Sequence, residues 1–274
     1  MTVAEKPEAP PHTLSGGVNG RIWGARAADW ARIQEEQCAA GYHAVFDKVP
    51  VGSMTRLLDA GCGAGMAMQL AADLGAAVAG IDASAALLDV ARERLPGARL
   101  ERGDLEVLPF ENDSFDVVTG FNSFQYATDP VAALHEAHRV TAPGGKVFIM
   151  TWGEPGSMEA TAFVAALKPL LPPPPPGAAG PFALSEPGKL EELAARAGLT
   201  PREVFDVDSA WRYPDLATAL RGLGSSGVAF KAAETSGQAA LDAAHEAVLA
   251  PFVQPDGGYR IGATFRILMA EKAV

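Results

Sequence analysis

From Thr55 onward, short apolar runs that stop at Gly or Asp alternate with longer stretches whose apolar residues recur at helical spacing. "TRLLDAG" reads as a strand running into glycines, and "MAMQLAADLG" as a helix closed by Gly75. "AAVAGID" is a second strand, and "SAALLDVARERL" a helix with Ser84 as N-cap. "ARLERGD" is a third strand and "FDVVTGF" a fourth. "DPVAALHEAHRV" begins with Asp129 as cap and Pro130 at the first helical position, and "GGKVFIMTW" is a fifth strand. Strands separated by helices of about 10–15 residues predict βαβ units and a parallel sheet covered on both faces.

The flanks follow a different pattern. Residues 1–20, rich in Pro, Gly and small polar residues, read as a flexible arm, and 21–50 as a helical cap with apolar anchors at Trp23, Trp30, Ile33 and Cys38. After Trp152 come a short helix and a five-proline run, either a stiff connector or a lid over the strand ends. "KLEELAARAGL", "DLATALRGL" and "QAALDAAHEAVLAPF" read as helices, and "REVFDVDSAWRY" and "ATFRILMAEKA" as strands. The expectation is one domain over 21–274: cap, core at 51–152, and a C-terminal part at 153–274.

The length of 274 residues and 48% hydrophobic content suit one large domain with a substantial core. A net charge of −11 and the lack of any Lys/Arg run argue against nucleic acid as a partner. The two cysteines, Cys38 and Cys62, make neither a disulfide framework nor a metal spacing, so free thiols and no metal are expected. No secretory h-region and no membrane-spanning apolar stretch are visible, which predicts a cytoplasmic protein without a membrane partner.

"LLDAGCGAG" places Gly61, Gly63 and Gly65 straight after the first strand, bare backbone that a nucleotide-like ligand can approach. Met66 stands where a dinucleotide fingerprint wants Gly or Ala, and Asp59 precedes the turn. A carboxylate there would repel a pyrophosphate and attract a cationic ligand. Asp82 ends the second strand about 20 residues beyond the turn, where a carboxylate meets ribose hydroxyls. Capping the next helix is its alternative role. Asp104 ends the third strand at the same edge, placed to accept from an adenine amine.

In order and spacing, "LLDAGCGAG", "GIDAS", "GD" before "LPFENDSFDVVTG", and "HRVTAPGGKVFIMTW" resemble the class I S-adenosylmethionine-dependent methyltransferases. The resemblance, to the quinone-biosynthesis-like type 11 branch of small-molecule enzymes, covers roughly Met54 to Trp152, and "RIWGARAADW" looks like the cap of bacterial members. It implies a three-layer αβα Rossmann-like fold whose seven-stranded sheet is ordered 3-2-1-4-5-7-6, with the last strand antiparallel. Residues 51–152 would bind S-adenosylmethionine and release S-adenosylhomocysteine. Asp59, Gly61, Cys62 and Gly63 match positions around its methionine part, Asp82 the ribose ligand, and Ala83 the adenine flank. Asp104 and Leu105 match the adenine edge, and Phe121 and Asn122 the floor below the reactive methyl. Arg26 is a candidate partner for the cofactor carboxylate, and the helix bearing Trp23, Arg26 and Trp30 is expected to fold over the cofactor. The loop "NSFQYATDP" lacks the histidines that quinone enzymes carry there, which argues against a quinone.

The implied reaction is O-, N- or C-methylation of a small molecule in bacterial specialised metabolism, by a monomer or homodimer. Acceptor walls are expected from Trp23, Trp30, Phe46, Phe124, Tyr126, Trp152, Trp211 and Tyr213, aromatic residues of the cap and strand ends. His43, near the end of the cap helix, is the candidate general base. The alternatives are a non-methylating protein on the same fold, such as a cyclase, and a nucleic-acid or protein methyltransferase.

Overall fold

The computed structural model describes residues 14–173 and 180–274. Nine strands, β1 (Arg56–Ala60), β2 (Ala77–Asp82), β3 (Arg99–Arg102), β4 (Phe115–Phe121), β5 (Thr141–Trp152), β6 (Thr200–Asp208), β7 (Trp211–Tyr213), β8 (Tyr259–Ile261) and β9 (Thr264–Glu271), form two sheets among these residues. The large sheet is ordered β3-β2-β1-β4-β5-β9-β6, and β7 pairs with β8 in a small ribbon. All pairings from β3 to β5 are parallel, while β9 runs antiparallel between β5 and β6. Counted within the large sheet, this is the order and the antiparallel last strand that the resemblance implied.

Buried on both faces, central strands lose the alternation of half-buried ones: Leu57, Leu58, Asp59 and Ala60 of β1 are all buried. One apolar layer, with Leu58, Phe124, Leu134 and Ile149, lies under the helices of one face. A second, with Tyr42, Phe46, Phe148 and Phe265, lies under those of the other.

In chain order the helices are α1 (Gly16–Gly24), α2 (Ala27–Asp29), α3 (Ala39–Lys48), α4 (Met66–Asp73), α5 (Ala85–Arg94), α6 (Pro130–Val140), α7 (Thr161–Leu167), α8 (Lys189–Arg196), α9 (Leu216–Leu223), α10 (Gly227–Ser236) and α11 (Gln238–Leu249). Ser84 caps α5 by accepting the Leu87 N–H at 3.2 Å, and Asp129 caps α6 by accepting from Val131 and Ala132. Both caps stand where the sequence placed them.

Three expectations are corrected. The arm does not extend to residue 20, because α1 starts at Gly16, whose N–H finds a side-chain acceptor. The cap is not one helix: a π-type turn at Trp30–Gln34 and a tight turn at Glu35–Cys38 break it. "REVFDVDSAWRY" is two strands in different sheets, the chain leaving the large sheet after Asp208. The proline run falls mostly outside the described residues. Among the described residues no helix is long and apolar enough to cross a membrane.

Candidate active site

After β1 the chain builds β2 and β3 on one side, then returns to build β4 and β5 on the other. Strand order reverses between β1 and β4, which leaves a crevice at their carboxyl ends. The glycine turn fills one side of it. Gly61, Gly63 and Gly65 hold φ of +85°, +52° and +85°, a region L side chains rarely adopt. A Cβ on Gly61 would lie 2.3 Å from that of Ser123, so the turn also needs the missing side chain to pass the β4 end. On the other side Asn122, a non-glycine residue at φ +52°, is strained at the crevice edge.

Asp82 ties the turn to β2. Its Oδ2 accepts the Gly63 N–H at 2.9 Å and its Oδ1 the Ser84 N–H at 2.8 Å. Burial raises its pKa, against these hydrogen bonds, which favour the ionised form. Asp104 accepts the Gly16 N–H at 2.6 Å and the Glu106 N–H at 3.0 Å.

Two chambers open on this crevice. The first is a narrow slot lined by Gly61, Gly63, Asp82, Ala83, Asp104 and Leu105, among others. Two carboxylates face it and no Lys, Arg or His does among the described residues. A pyrophosphate would find no cation there, whereas ribose hydroxyls and a sulfonium would find acceptors and negative charge. The second chamber, of about 430 Å³, is lined mostly by apolar side chains, including Trp152, Phe163, Leu184, Trp211 and Phe265. Trp23, Trp30, Cys38, Asn122 and Tyr126 line both and form the partition between them. Burial pushes the Cys38 thiol up to about 12, so it is no nucleophile at neutral pH.

The structure brings together most, but not all, of the residues the sequence singled out. Gly61, Gly63, Asp82, Ala83, Asp104, Leu105, Phe121, Asn122 and Trp30 line the first chamber, and Trp23, Tyr126, Trp152 and Trp211 the second. Asp59 does not line it. The residue lies within the sheet, its carboxylate accepting the Thr119 hydroxyl at 2.8 Å, and burial raises its pKa to about 7. Cys62 packs below the turn against Met68 and Leu88. Arg26 turns away and donates to Gln238 of α11. His43 is exposed on α3 and lines neither chamber. Phe46 and Phe124 are core: Phe46 stacks edge-on with Phe121, and Phe124 fills the space left by Gly120. Tyr213 lies behind the wall, where its hydroxyl donates to Gln34 at 2.8 Å.

The cap closes the slot from above. A Cβ on Gly20 would lie 2.3 Å from the Ala83 carbonyl oxygen, and one on Gly24 2.6 Å from Ser84 Oγ, so α1 rests its backbone directly on the chain after β2. The π-type turn, a feature common at functional sites, carries Trp30 over Gly63. Beneath it, buried Glu35 pairs with Arg94 and accepts the Met66 N–H at 3.1 Å, capping α4. Sequence reasoning missed Ser15, Gly16 and Asn19 of the first chamber, because they fall in the segment read as an arm. It also passed over Gln125 and His245 of the second.

A methyltransferase-domain family matches residues 58–149. Over 237 residues, 83% of this chain and 82% of the relative, the sequence is 32% identical to a malonyl-[acyl-carrier protein] O-methyltransferase of Dechloromonas aromatica (strain RCB). The chain belongs to the class I S-adenosylmethionine-dependent methyltransferases. A demethylmenaquinone methyltransferase of Renibacterium salmoninarum is 36% identical over 111 residues, 40% of this chain. That match spans 47% of the relative, and one to an Erwinia pyrifoliae malonyl-[acyl-carrier protein] O-methyltransferase spans 58%. In these matches the methyltransferase chain spans about half the length of its curated relatives. Among solved structures, the [4+2]-cyclase SpnF shares the fold at a TM-score of 0.61 and 20% identity, covering 97% of this chain and 100% of that one. The family's cofactor is S-adenosylmethionine, and the acidic, glycine-walled slot fits it.

Proposed function

We propose that the protein transfers a methyl group from S-adenosylmethionine to a small, mostly apolar molecule held in the second chamber. The observation that carries this reading is the partition: five residues line both chambers, so ligands in the two would meet there and nowhere else among the described residues. The cofactor supplies, when bound, an electrophilic methyl on a sulfonium.

The chain's own residues would do the rest. Asp82 would accept from ribose hydroxyls, Asp104 and Leu105 would border the adenine, and the glycine turn would carry the methionine part. Trp30 and Tyr126 pack edge-on against Trp23, at centroid distances of 5.0 and 5.3 Å, and the three rings would shield the reacting groups from water. Relatives are named for a carrier-bound malonyl group and for demethylmenaquinone, so the family does not choose the acceptor. The wide apolar chamber supports a small molecule over nucleic acid or protein, as does the acidic chain. A soluble, cytoplasmic monomer or homodimer is part of this proposal.

The test is incubation with methyl-labelled S-adenosylmethionine and metabolite extract, reading label in small molecules and S-adenosylhomocysteine released. Tight cofactor binding with no label in any acceptor would favour the cyclase-like alternative on the same fold.

A further inference from the structure

S-adenosylmethionine ends in a carboxylate, and the slot that fits it presents no Lys, Arg or His among the described residues. Arg26, the cation expected there, donates to Gln238 instead. The glycine turn does not take its place. Gly61 and Cys62 donate to the Ile81 carbonyl at 2.8 and 3.0 Å, and Gly65 to the Cys62 carbonyl at 2.9 Å. Gly63 donates to Asp82 at 2.9 Å and Met66 to Glu35 at 3.1 Å. Ala64, the remaining residue, has no exposed surface. Every N–H from Gly61 to Met66 is thus engaged or closed off. A carboxylate held there would lose its hydration without gaining a partner from the turn.

A free donor does hang over the turn. Apart from chain neighbours, the atom nearest to where a Cβ on Gly63 would stand is Trp30 Nε1, at 3.7 Å. That indole N–H has no hydrogen-bond partner among the described residues, and Trp30 is half-buried and lines both chambers. It differs in this from the unpaired atoms of Gln125, Trp211 and His245, which are sealed within the protein. The Trp23 indole faces elsewhere, its Nε1 2.9 Å from where a Cβ on Gly227 of α10 would lie.

Arg94, at the end of α5, fixes the Trp30 ring in this place. Its guanidinium donates at 2.9 Å to the carbonyls of Ala31 and Ala64, one residue past Trp30 and one past Gly63. It also pairs with buried Glu35, which caps α4. One side chain therefore ties the π-type turn of the cap to the glycine turn.

We propose that the Trp30 indole N–H donates to the cofactor's carboxylate, and that Arg94 is the positioning residue that keeps it over the turn without touching the ligand. A hydrogen bond to a charged group is strong even from a neutral donor, and an indole adds no second cation near the sulfonium. The proposal rests on the reading of the slot as the cofactor site, but binding alone tests it.

The experiment is calorimetric titration of the full chain with S-adenosylhomocysteine and with S-adenosyl-3-thiopropylamine, which lacks only the carboxylate. Trp30→Phe, which keeps a ring over the turn, should weaken S-adenosylhomocysteine about tenfold and leave the amine within about twofold. The ratio of the two affinities should therefore fall about tenfold. Arg94→Lys, which keeps a charge beside Glu35, should also lower the ratio, and should lower it no further once Trp30→Phe is present. In the wild type, one indole proton resonance should move downfield with S-adenosylhomocysteine and stay in place with the amine, which covers the case in which a variant fails to fold. The proposal is overturned if Trp30→Phe leaves the ratio unchanged, if Arg94→Lys lowers it further in the double variant, or if no indole resonance distinguishes the ligands. S-adenosylhomocysteine bound with an unchanged ratio sinks this proposal alone, whereas a wild type that binds neither ligand overturns the cofactor reading and this proposal with it.

Discussion

The Asp104 carboxylate accepts the backbone N–H of Gly16 at 2.6 Å, so the acid that ends β3 at the ligand edge also caps the helix that covers it. A hydrogen bond to a charged group is worth about 1.5–3 kcal/mol. Asp104→Ala should therefore detach the start of α1 and speed amide exchange across Gly16–Gly24, with the rest of the chain unaffected. Asp104→Asn, which keeps an acceptor, should lose less. Unchanged exchange in Asp104→Ala would mean that the contact does not hold the helix.

Asp82 should matter more for ligand than for fold. Its two carboxylate oxygens hold the glycine turn and the start of the next helix, and the same group faces the slot. Asp82→Ala should weaken S-adenosylhomocysteine binding by about 10- to 150-fold, the affinity equivalent of losing one charge-assisted pair. Asp82→Asn should fall between. Calorimetry on both variants checks this, with circular dichroism as the control for folding. Wild-type affinity in Asp82→Ala would remove the ribose assignment.

The parts of the site legible in the sequence are those built from local chemistry. A strand that ends in glycines, an acid at the end of the next strand, and Ser84 and Asp129 before helices each act within a few residues, so the linear pattern contains the reason. Asp59 misled because charge was judged without depth: its carboxylate is satisfied by Thr119 inside the sheet. His43 misled likewise, since a helix position near the site says nothing about which face carries it. His245 could not be placed in the site from the sequence. Its contact with Phe163, and Gln34 reaching Tyr213, join segments far apart in the chain. The arm misled through composition: Gly16 and Gly20 looked like linker residues, whereas close packing on Asp104 and on the Ala83 loop is what requires them small.

That packing gives a sharp test of the cap. A methyl group on Gly20 would sit 2.3 Å from a backbone oxygen, which cannot be relieved by turning a side chain. Overpacking of this kind costs about 1–3 kcal/mol, and α1 must lift from the Ala83 loop to avoid it. Gly20→Ala should leave the core folded, reduce cofactor affinity by about tenfold, and abolish the protection of α1 that ligand gives in the wild type. Equal ligand-induced protection in variant and wild type would show that α1 is not the cover. Gly17→Ala, where a Cβ would meet nothing within 4 Å, is the matched control.

The buried acid and the buried imidazole should shape stability against pH in opposite directions. Burial lowers the His245 pKa to about 4, with Asp242 on the same helix partly opposing the shift. As pH falls from about 6.5 toward 4, the unfolded chain takes up a proton that the folded imidazole refuses, so His245 makes the protein less stable. Burial raises the Asp59 pKa to about 7, the Thr119 hydrogen bond acting against it. Over the same window the folded carboxyl keeps a proton that the unfolded chain has released, so Asp59 makes the protein less stable as pH rises. The effects amount to about 3 kcal/mol for His245 and about 4 kcal/mol for Asp59 in full, and in the wild type they largely offset. Replacing one group should expose the other. His245→Phe should lose stability as pH rises from about 4.5 to 7.5, and Asp59→Asn should gain it. Urea unfolding of the three proteins at four pH values reads this directly. The other titratable groups are common to all three, so differences between the curves isolate these two residues. If the His245→Phe curve ran parallel to that of the wild type across the window, the imidazole would not be buried and neutral, and its place in the chamber wall would be wrong.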